Sequence, residues 1–265
     1  MIGIWGIVNV TPDSFSDGGR YLDGTAALDH GRRLLADGAT VLDIGGESTR
    51  PGAERVPVSV EIDRVVPVIE ALSGQGAVLS VDTMNAATAV AAVAAGARYV
   101  NDVAGGLADP DMLAAVAETD ADYVLGHWRG PSADMYARAE YTRIGHEVAA
   151  ELLDRVEQAA AAGIEPSRIV LDPGIGFAKT AGQNWALLRE LDAVTALGLR
   201  VLVGTSRKRF FLPVLGEDAD EQRRDLATAV TSVLAADAGA WAVRVHNAAA
   251  TRDALAVRSA WEGEP

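Results

Sequence analysis

The chain has 265 residues, 49% of them hydrophobic, enough to bury the core of one barrel-sized domain. It contains no cysteine, which excludes disulfides, thiol nucleophiles and thiolate metal sites. Its net charge of −14 opposes non-specific binding to nucleic acid or anionic lipid, and no uninterrupted apolar stretch reaches membrane-spanning length.

The opening residues are apolar but lack a basic n-region and a small-residue cleavage site, so a soluble cytoplasmic chain is expected. Ile2–Val8 reads as a strand running into Asn9, and 24–37 follows with helical periodicity. Thr40–Leu42 leads to Asp43 before the helix 59–73. Ala77–Leu79 leads to Asp82 before 85–95, and Tyr99–Val100 meets Asn101 before 110–119. Tyr123–Leu125 meets His127 before 143–162, and Ile169–Leu171 meets Asp172 before 183–197. Val201–Val203 leads to Ser206 and Lys208 before 220–238. Trp241–Val245 contains Arg244, meets His246 and precedes 248–262. Five apparent helices end in Gly38, Gly96, Gly163, Gly198 and Gly239, each followed by an apolar strand, as left-handed caps require. The near-continuous apolar runs suit parallel strands covered on both faces.

Eight such units predict an α/β protein over residues 1–265, a single-domain (β/α)8 barrel of the TIM type. An open doubly wound sheet is the rival, but no dinucleotide fingerprint accompanies the repeats. In a barrel the strand C-terminal ends share one mouth, so their polar residues converge. Asp82, Asn101 and Asp172 are then three short acceptors for a ligand with several N–H donors, such as a fused heterocycle bearing a 2-amino group. Singly, each would read as a helix N-cap. Lys208 adds a donor to a ring carbonyl. Arg50, Arg207, Lys208, Arg209, Arg244 and His246 place positive charge on one rim of an acidic protein, an arrangement for an anion such as phosphate, with a structural role the alternative for Arg207. Arg244 and His246 alternate on the last strand, so both can point inward, where an arginine without an anion is costly. Asn9 offers a neutral oxygen to a metal, and Mg2+ takes few protein ligands beside substrate phosphates. Lys179 and Lys208 are the only lysines, both in strand-end loops where a compact ammonium has a role arginine does not fill. His127 reads as a satisfied core or rim residue rather than a base, and Trp185 and Trp241 as packing. Phe177 lies at the mouth. The segments Asn9–Gly19, Gly45–Val56 and Gly130–Thr142 are rich in Gly, Pro and polar residues. The first two read as closing loops and the third as a surface insertion.

These motifs resemble dihydropteroate synthases over nearly the whole length. The resemblance is carried by Asn9-Val-Thr-Pro-Asp-Ser-Phe-Ser-Asp-Gly-Gly19, Asp43-Ile-Gly-Gly-Glu-Ser-Thr-Arg-Pro-Gly-Ala53, Ser80-Val-Asp-Thr83, Asn101-Asp102, Leu171-Asp-Pro-Gly-Ile-Gly-Phe177, Ser206-Arg-Lys208 and Arg244-Val-His246. It implies two small-molecule substrates, 7,8-dihydropterin-6-ylmethyl diphosphate and 4-aminobenzoate. Asp82, Asn101, Asp172 and Lys208 would hold the pterin. Asn9, Arg50, Arg244 and His246 would bind the diphosphate, Asn9 through Mg2+. Thr49, Arg50, Pro51, Phe177, Lys208 and Arg209 would frame the aminobenzoate. Lys208, Arg244 and His246 would carry the catalysis. The resemblance also implies a homodimer through the last helices, which the alanine-rich 226–240 would allow.

Four residues depart from the family pattern. Gly126 stands where methionine is usual, which would thin one wall of the pterin pocket. Asn247 stands for aspartate, Ala178 for glycine and Arg209 for serine. Two other readings share the barrel: a non-catalytic pterin-binding module, and the methyltetrahydrofolate-binding domain of corrinoid methyltransferases. The first needs no diphosphate clamp, and the second lacks the Ser-Thr-Arg-Pro loop.

Overall fold

Eight parallel strands close into a barrel in strict chain order in the computed structural model, which describes residues 2–10, 20–47, 55–130 and 139–263. They are β1 Gly3–Asn9, β2 Val41–Gly45, β3 Leu79–Asp82, β4 Tyr99–Asp102, β5 Asp122–Gly126, β6 Ile169–Asp172, β7 Arg200–Val203 and β8 Ala242–Val245. Around them lie α1 Arg20–Ala36, α2 Val58–Ser73, α3 Ala86–Ala94, α4 Met112–Ala117, α5 Ile144–Ala161, α6 Ala181–Arg189, α7 Asp192–Thr195, α8 Leu212–Leu215, α9 Glu221–Asp237 and α10 Ala248–Glu262. All five cap glycines adopt positive φ: 105° at Gly38, 113° at Gly96, 106° at Gly163, 77° at Gly198 and 87° at Gly239. An L side chain would strain each of these turns, so glycine both stops the helix and aims the chain into the next strand. No helix among the described residues is long and apolar enough to cross a membrane.

The strand residues sort by the two-residue period of the pleat. Leu42, Ile44, Val81, Val100, Leu171 and Val245 belong to the large cluster shared with the helices. The opposite set, Trp5, Val41, Tyr99, Val124, Val170, Leu202 and Ala242, forms a separate cluster inside the barrel, joined by Trp241. Trp5 and Tyr99 meet there with ring centroids 4.8 Å apart. This apolar layer closes the bottom. Two residues further along the same inner faces stand Asp43, Asn101, Gly126, Asp172, Gly204 and Arg244. The polar residues therefore form a storey above a dry floor, at the carboxyl ends of the strands.

Two elements differ from expectation. The span 183–197 is two helices, because the backbone leaves helical geometry at Glu190 (φ −106°, ψ 24°). There the Glu190 carboxylate accepts the Gly145 N–H at 2.9 Å, and Leu191 turns into the core. The short α8 has no sequence counterpart, since four residues after a 3-10 turn are too few to show a period.

Candidate active site

The centre of the polar storey is an ion triad. Arg244 Nε donates to Asp43 Oδ2 at 2.5 Å, and Arg244 Nη2 donates to Asp82 Oδ2 at 2.6 Å. The anion that a buried arginine demands is thus supplied by two carboxylates of the barrel itself. Asn101 Nδ2 donates to the same Asp43 oxygen at 2.9 Å. That bond orients the carboxamide and leaves its oxygen without a partner. Asp82 and Asn101 are register partners on β3 and β4, and Asp82 Oδ1 and Asn101 Oδ1 are both buried with no hydrogen bond. Asp43 Oδ1 and Ser80 Oγ are in the same condition. A buried acceptor left unsatisfied costs about 1–3 kcal/mol, so this storey is built to receive donors from outside the chain.

Across the mouth, Asp172 Oδ1 accepts the Gly174 N–H at 2.7 Å and so starts the following turn. Lys208 Nζ donates to the Ile175 carbonyl and stands 4.9 Å from the centre of the Phe177 ring. Gly204 leaves room beside it, since a Cβ there would lie 3.7 Å from Lys208 Nζ and 3.8 Å from Arg244 Cβ. Burial lowers the Lys208 proton affinity to about 8, and the charge of Asp172 opposes that fall.

Further out, Ser206 Oγ lies 2.9 Å from His246 Nδ1 and accepts the His246 N–H at 3.0 Å. Arg207 turns away: it forks onto Asp225 at 2.7 and 2.9 Å and meets Glu221 at 2.8 Å, so its charge is matched within the protein. This agrees with the structural reading that its sequence position left open beside the anion-binding one. Asn247 caps α10 by accepting the Ala250 N–H at 3.0 Å and donates to Asp225 at 3.1 Å. This departure thus sits in the brace of Arg207. Arg209 is exposed. Asn9 ends β1 opposite Gly45 of β2. Thr49, Arg50 and Pro51 lie outside the described residues, but the flanks of that segment are tied together: Arg55 Nε meets Glu47 Oε1 at 2.7 Å.

The departure at Gly126 does not thin the pocket. A Cβ there would lie 2.5 Å from the Val103 carbonyl oxygen and 2.6 Å from its Cα. Asp102 draws the main chain across by accepting the Ala104 and Gly106 N–H groups at 2.8 and 2.6 Å. The Val103 backbone therefore fills the space a larger side chain would take. Ala178, the departure from glycine, keeps a positive φ of 48°. Trp185 and Trp241 pack as expected, Trp185 against Phe210 with centroids 4.9 Å apart and Trp241 against Trp5 at 6.1 Å. His127 is buried between Lys179 and Glu151, each 3.0 Å from a ring nitrogen. Burial and the Lys179 charge push it down to about 4 despite Glu151, so it is neutral near pH 7.

Burial lifts the Asp82 carboxyl to about 7, with Arg244 pulling down and Asp43 pushing up. Between its ordinary 3.8 and about 7, the folded chain holds a proton the unfolded chain has released. The unfolded state binds fewer protons there, so this group makes stability fall as pH rises through that window. Asp82→Asn is expected to flatten that limb in urea unfolding measured across pH. An unchanged slope would count against the assignment.

Sequence reading placed Asp82, Asn101, Asp172, Lys208 and Arg244 together, and the structure brings them together. It gave Asp43 no role. The missed signal was the pleat: Asp43 follows Val41 by two residues, as Asn101 follows Tyr99 and Asp172 follows Val170.

A family model described as "Pterin binding enzyme" matches residues 5–246. The dihydropteroate synthase of Mycobacterium leprae is 50% identical over 265 residues, covering 98% of this chain and 93% of that one. Two solved structures of the Xanthomonas albilineans dihydropteroate synthase each cover 100% of this chain. The one with 4-aminobenzoic acid has a TM-score of 0.92 at 45% identity and is covered over 94% of its length. The one in complex with 7,8-dihydropteroate has a TM-score of 0.88 at 43% identity and is covered over 95%.

Proposed function

The chain belongs to the dihydropteroate synthase family of pterin-binding enzymes, and we propose that its barrel mouth joins 7,8-dihydropterin-6-ylmethyl diphosphate to 4-aminobenzoate as follows. The observation that carries this is the pair of unpartnered acceptors, Asp82 Oδ1 and Asn101 Oδ1, in one storey with Asp172, Lys208 and Arg244. Asp82, Asn101 and Asp172 receive the N–H groups of the pterin, and Lys208 donates to its ring carbonyl. The methylene carbon loses its C–O bond to diphosphate and gains a C–N bond to the arylamine, which then releases its extra proton. Positive charge grows on the pterin as the C–O bond breaks, and carboxylates at its N–H groups stabilise that charge in place.

Two of the five Arg244 N–H donors are engaged by Asp43 and Asp82, and the others are available to the departing diphosphate. His246, aligned by Ser206, and Arg50 complete the clamp. Phe177, Arg209 and residues 49–51 frame the aminobenzoate, with Lys208 between the two subsites. No group of three His, Asp or Glu side chains suited to a metal occurs among the described residues. Asn9 at the end of β1 suits a cation whose remaining ligands come from the diphosphate and water, as Mg2+ prefers. When bound, Mg2+ would neutralise charge on the leaving group.

We read the enzyme as cytoplasmic and homodimeric. Leu226, Val230 and Leu234 line one stripe of α9 at 66, 52 and 57% exposure, and Trp261 on the adjacent α10 is 90% exposed. Such a face supports association through the last helices. Sedimentation as a monomer at micromolar concentration would refute it. The function itself is tested by mixing both substrates with Mg2+ and measuring diphosphate. Release that requires aminobenzoate is the expected result, and pterin binding without turnover would select a binding module instead.

A further inference from the structure

The two lysines of the chain hold one loop from two directions. Lys208 donates to the Ile175 carbonyl. Lys179, only 1% exposed, folds back under its own loop and donates to the Gly174 and Phe177 carbonyls, each at 3.0 Å. Its third contact is His127 Nδ1, also at 3.0 Å. Every N–H of this ammonium therefore has an acceptor, and none of the three is a carboxylate. Burying a cation in that way is costly, and a hydrocarbon side chain would fill the same volume without the cost. The loop explains what the charge does. Gly174 and Gly176 both hold positive φ, at 67° and 85°, and the Phe177 N–H closes the turn onto the Gly174 carbonyl at 3.0 Å. A turn so shaped points two carbonyls inward, where only a compact donor can reach both.

His127 extends the support. Its Nε2 faces Glu151 Oε2 at 3.0 Å, and Arg129 Nε holds that same carboxylate oxygen at 3.0 Å. With Nε2–H donating to Glu151, Nδ1 is left to accept from Lys179. A line from Arg129 through Glu151, His127 and Lys179 thus ends on the loop that carries Phe177.

We propose that Lys179 is a positioning residue of the reaction: its ammonium holds the Gly174–Phe177 turn so that the Phe177 ring and the Ile175 carbonyl stand beside Lys208. This rests on the synthase reading above. Lys179→Met keeps the stem and removes the donors. The expected result is a KM for 4-aminobenzoate raised about tenfold or more with kcat changed less than about threefold, because Asp82, Asn101 and Asp172 sit on strands and keep their places. Thr180→Ala removes the cap of α6, where Thr180 accepts the Gln183 N–H, without touching the ammonium. It is expected to leave both constants within about twofold, which separates the clamp from general loosening.

A readout independent of turnover comes from the unaltered protein. Its two-bond 1H–15N spectrum should show His127 as the Nε2–H tautomer near neutral pH, and Lys179→Met should move the Nδ1 resonance. An Nδ1–H tautomer in the unaltered protein, or a folded Lys179→Met with unchanged aminobenzoate KM, would overturn the inference alone. Absence of aminobenzoate-dependent turnover in the unaltered protein would instead overturn the synthase reading and this inference with it.

Discussion

Arg244→Ala is expected to slow turnover about tenfold to a few hundredfold and to destabilise the fold by about 3–5 kcal/mol. The kinetic part follows from the proposed charge-assisted contact to the departing diphosphate, worth on the order of 1.5–3 kcal/mol, with about 1.4 kcal/mol to each decade of rate. The stability part comes from the two carboxylates left behind. Asp43 is fully buried and Asp82 is 7% exposed, and both point at the same guanidinium. Removing that partner strands two like charges in a poorly solvated barrel. Protonation of Asp82, already raised to about 7, offers partial relief. Without Arg244, which pulls that affinity down, Asp82 keeps its proton to higher pH, so the loss of stability is expected to grow as pH rises above about 7 and to level off below it, a dependence that simple cavity formation lacks. Urea unfolding across pH, together with steady-state kinetics, separates the two terms. Near-parental rates and stability would remove Arg244 from both roles.

Asp172→Asn should preserve the loop and lose the charge. The carboxamide oxygen can still accept the Gly174 N–H that Asp172 Oδ1 now holds at 2.7 Å. What disappears, on the proposed binding of the pterin, is the negative charge at its N–H groups, where positive charge would grow in the transition state. A fall of about 10- to 150-fold in kcat/KM for the pterin substrate is expected, with most of it in kcat, because the contact strengthens as the reaction proceeds. A second signature accompanies it. Asp172 is the main charge holding up the proton affinity of Lys208, now about 8. In the variant the alkaline limb that reports Lys208 should move to lower pH. An unchanged limb would mean that the two groups do not face each other across the mouth.

Much of this molecule is local in origin and was readable as such. Apolar runs ending in polar residues located all eight strands, because burial on both faces of a parallel barrel demands them. The five cap glycines marked where helices stop, because positive φ is a property of one residue and needs no distant partner. Asp82, Asn101, Asp172, Lys208 and Arg244 could be grouped in advance, because a closed barrel sends every strand end to one mouth.

Other features depended on neighbours remote in the chain. That Arg244 is neutralised by Asp43, 201 positions away, follows from strand register and closure. That Gly126 is bare because Val103 crosses it depends on how Asp102 folds the next loop. That Lys179 serves a turn of its own loop through His127 depends on β5 lying beside β6. The amino-acid order alone determined the barrel and which side chains reach its rim, since periodicity and turn chemistry act over a few residues. Which carboxylate answers which cation, and which acceptors stay unmatched for a substrate, was decided only when the ring closed, because those pairings are made between strands whose separation along the chain carries no signal.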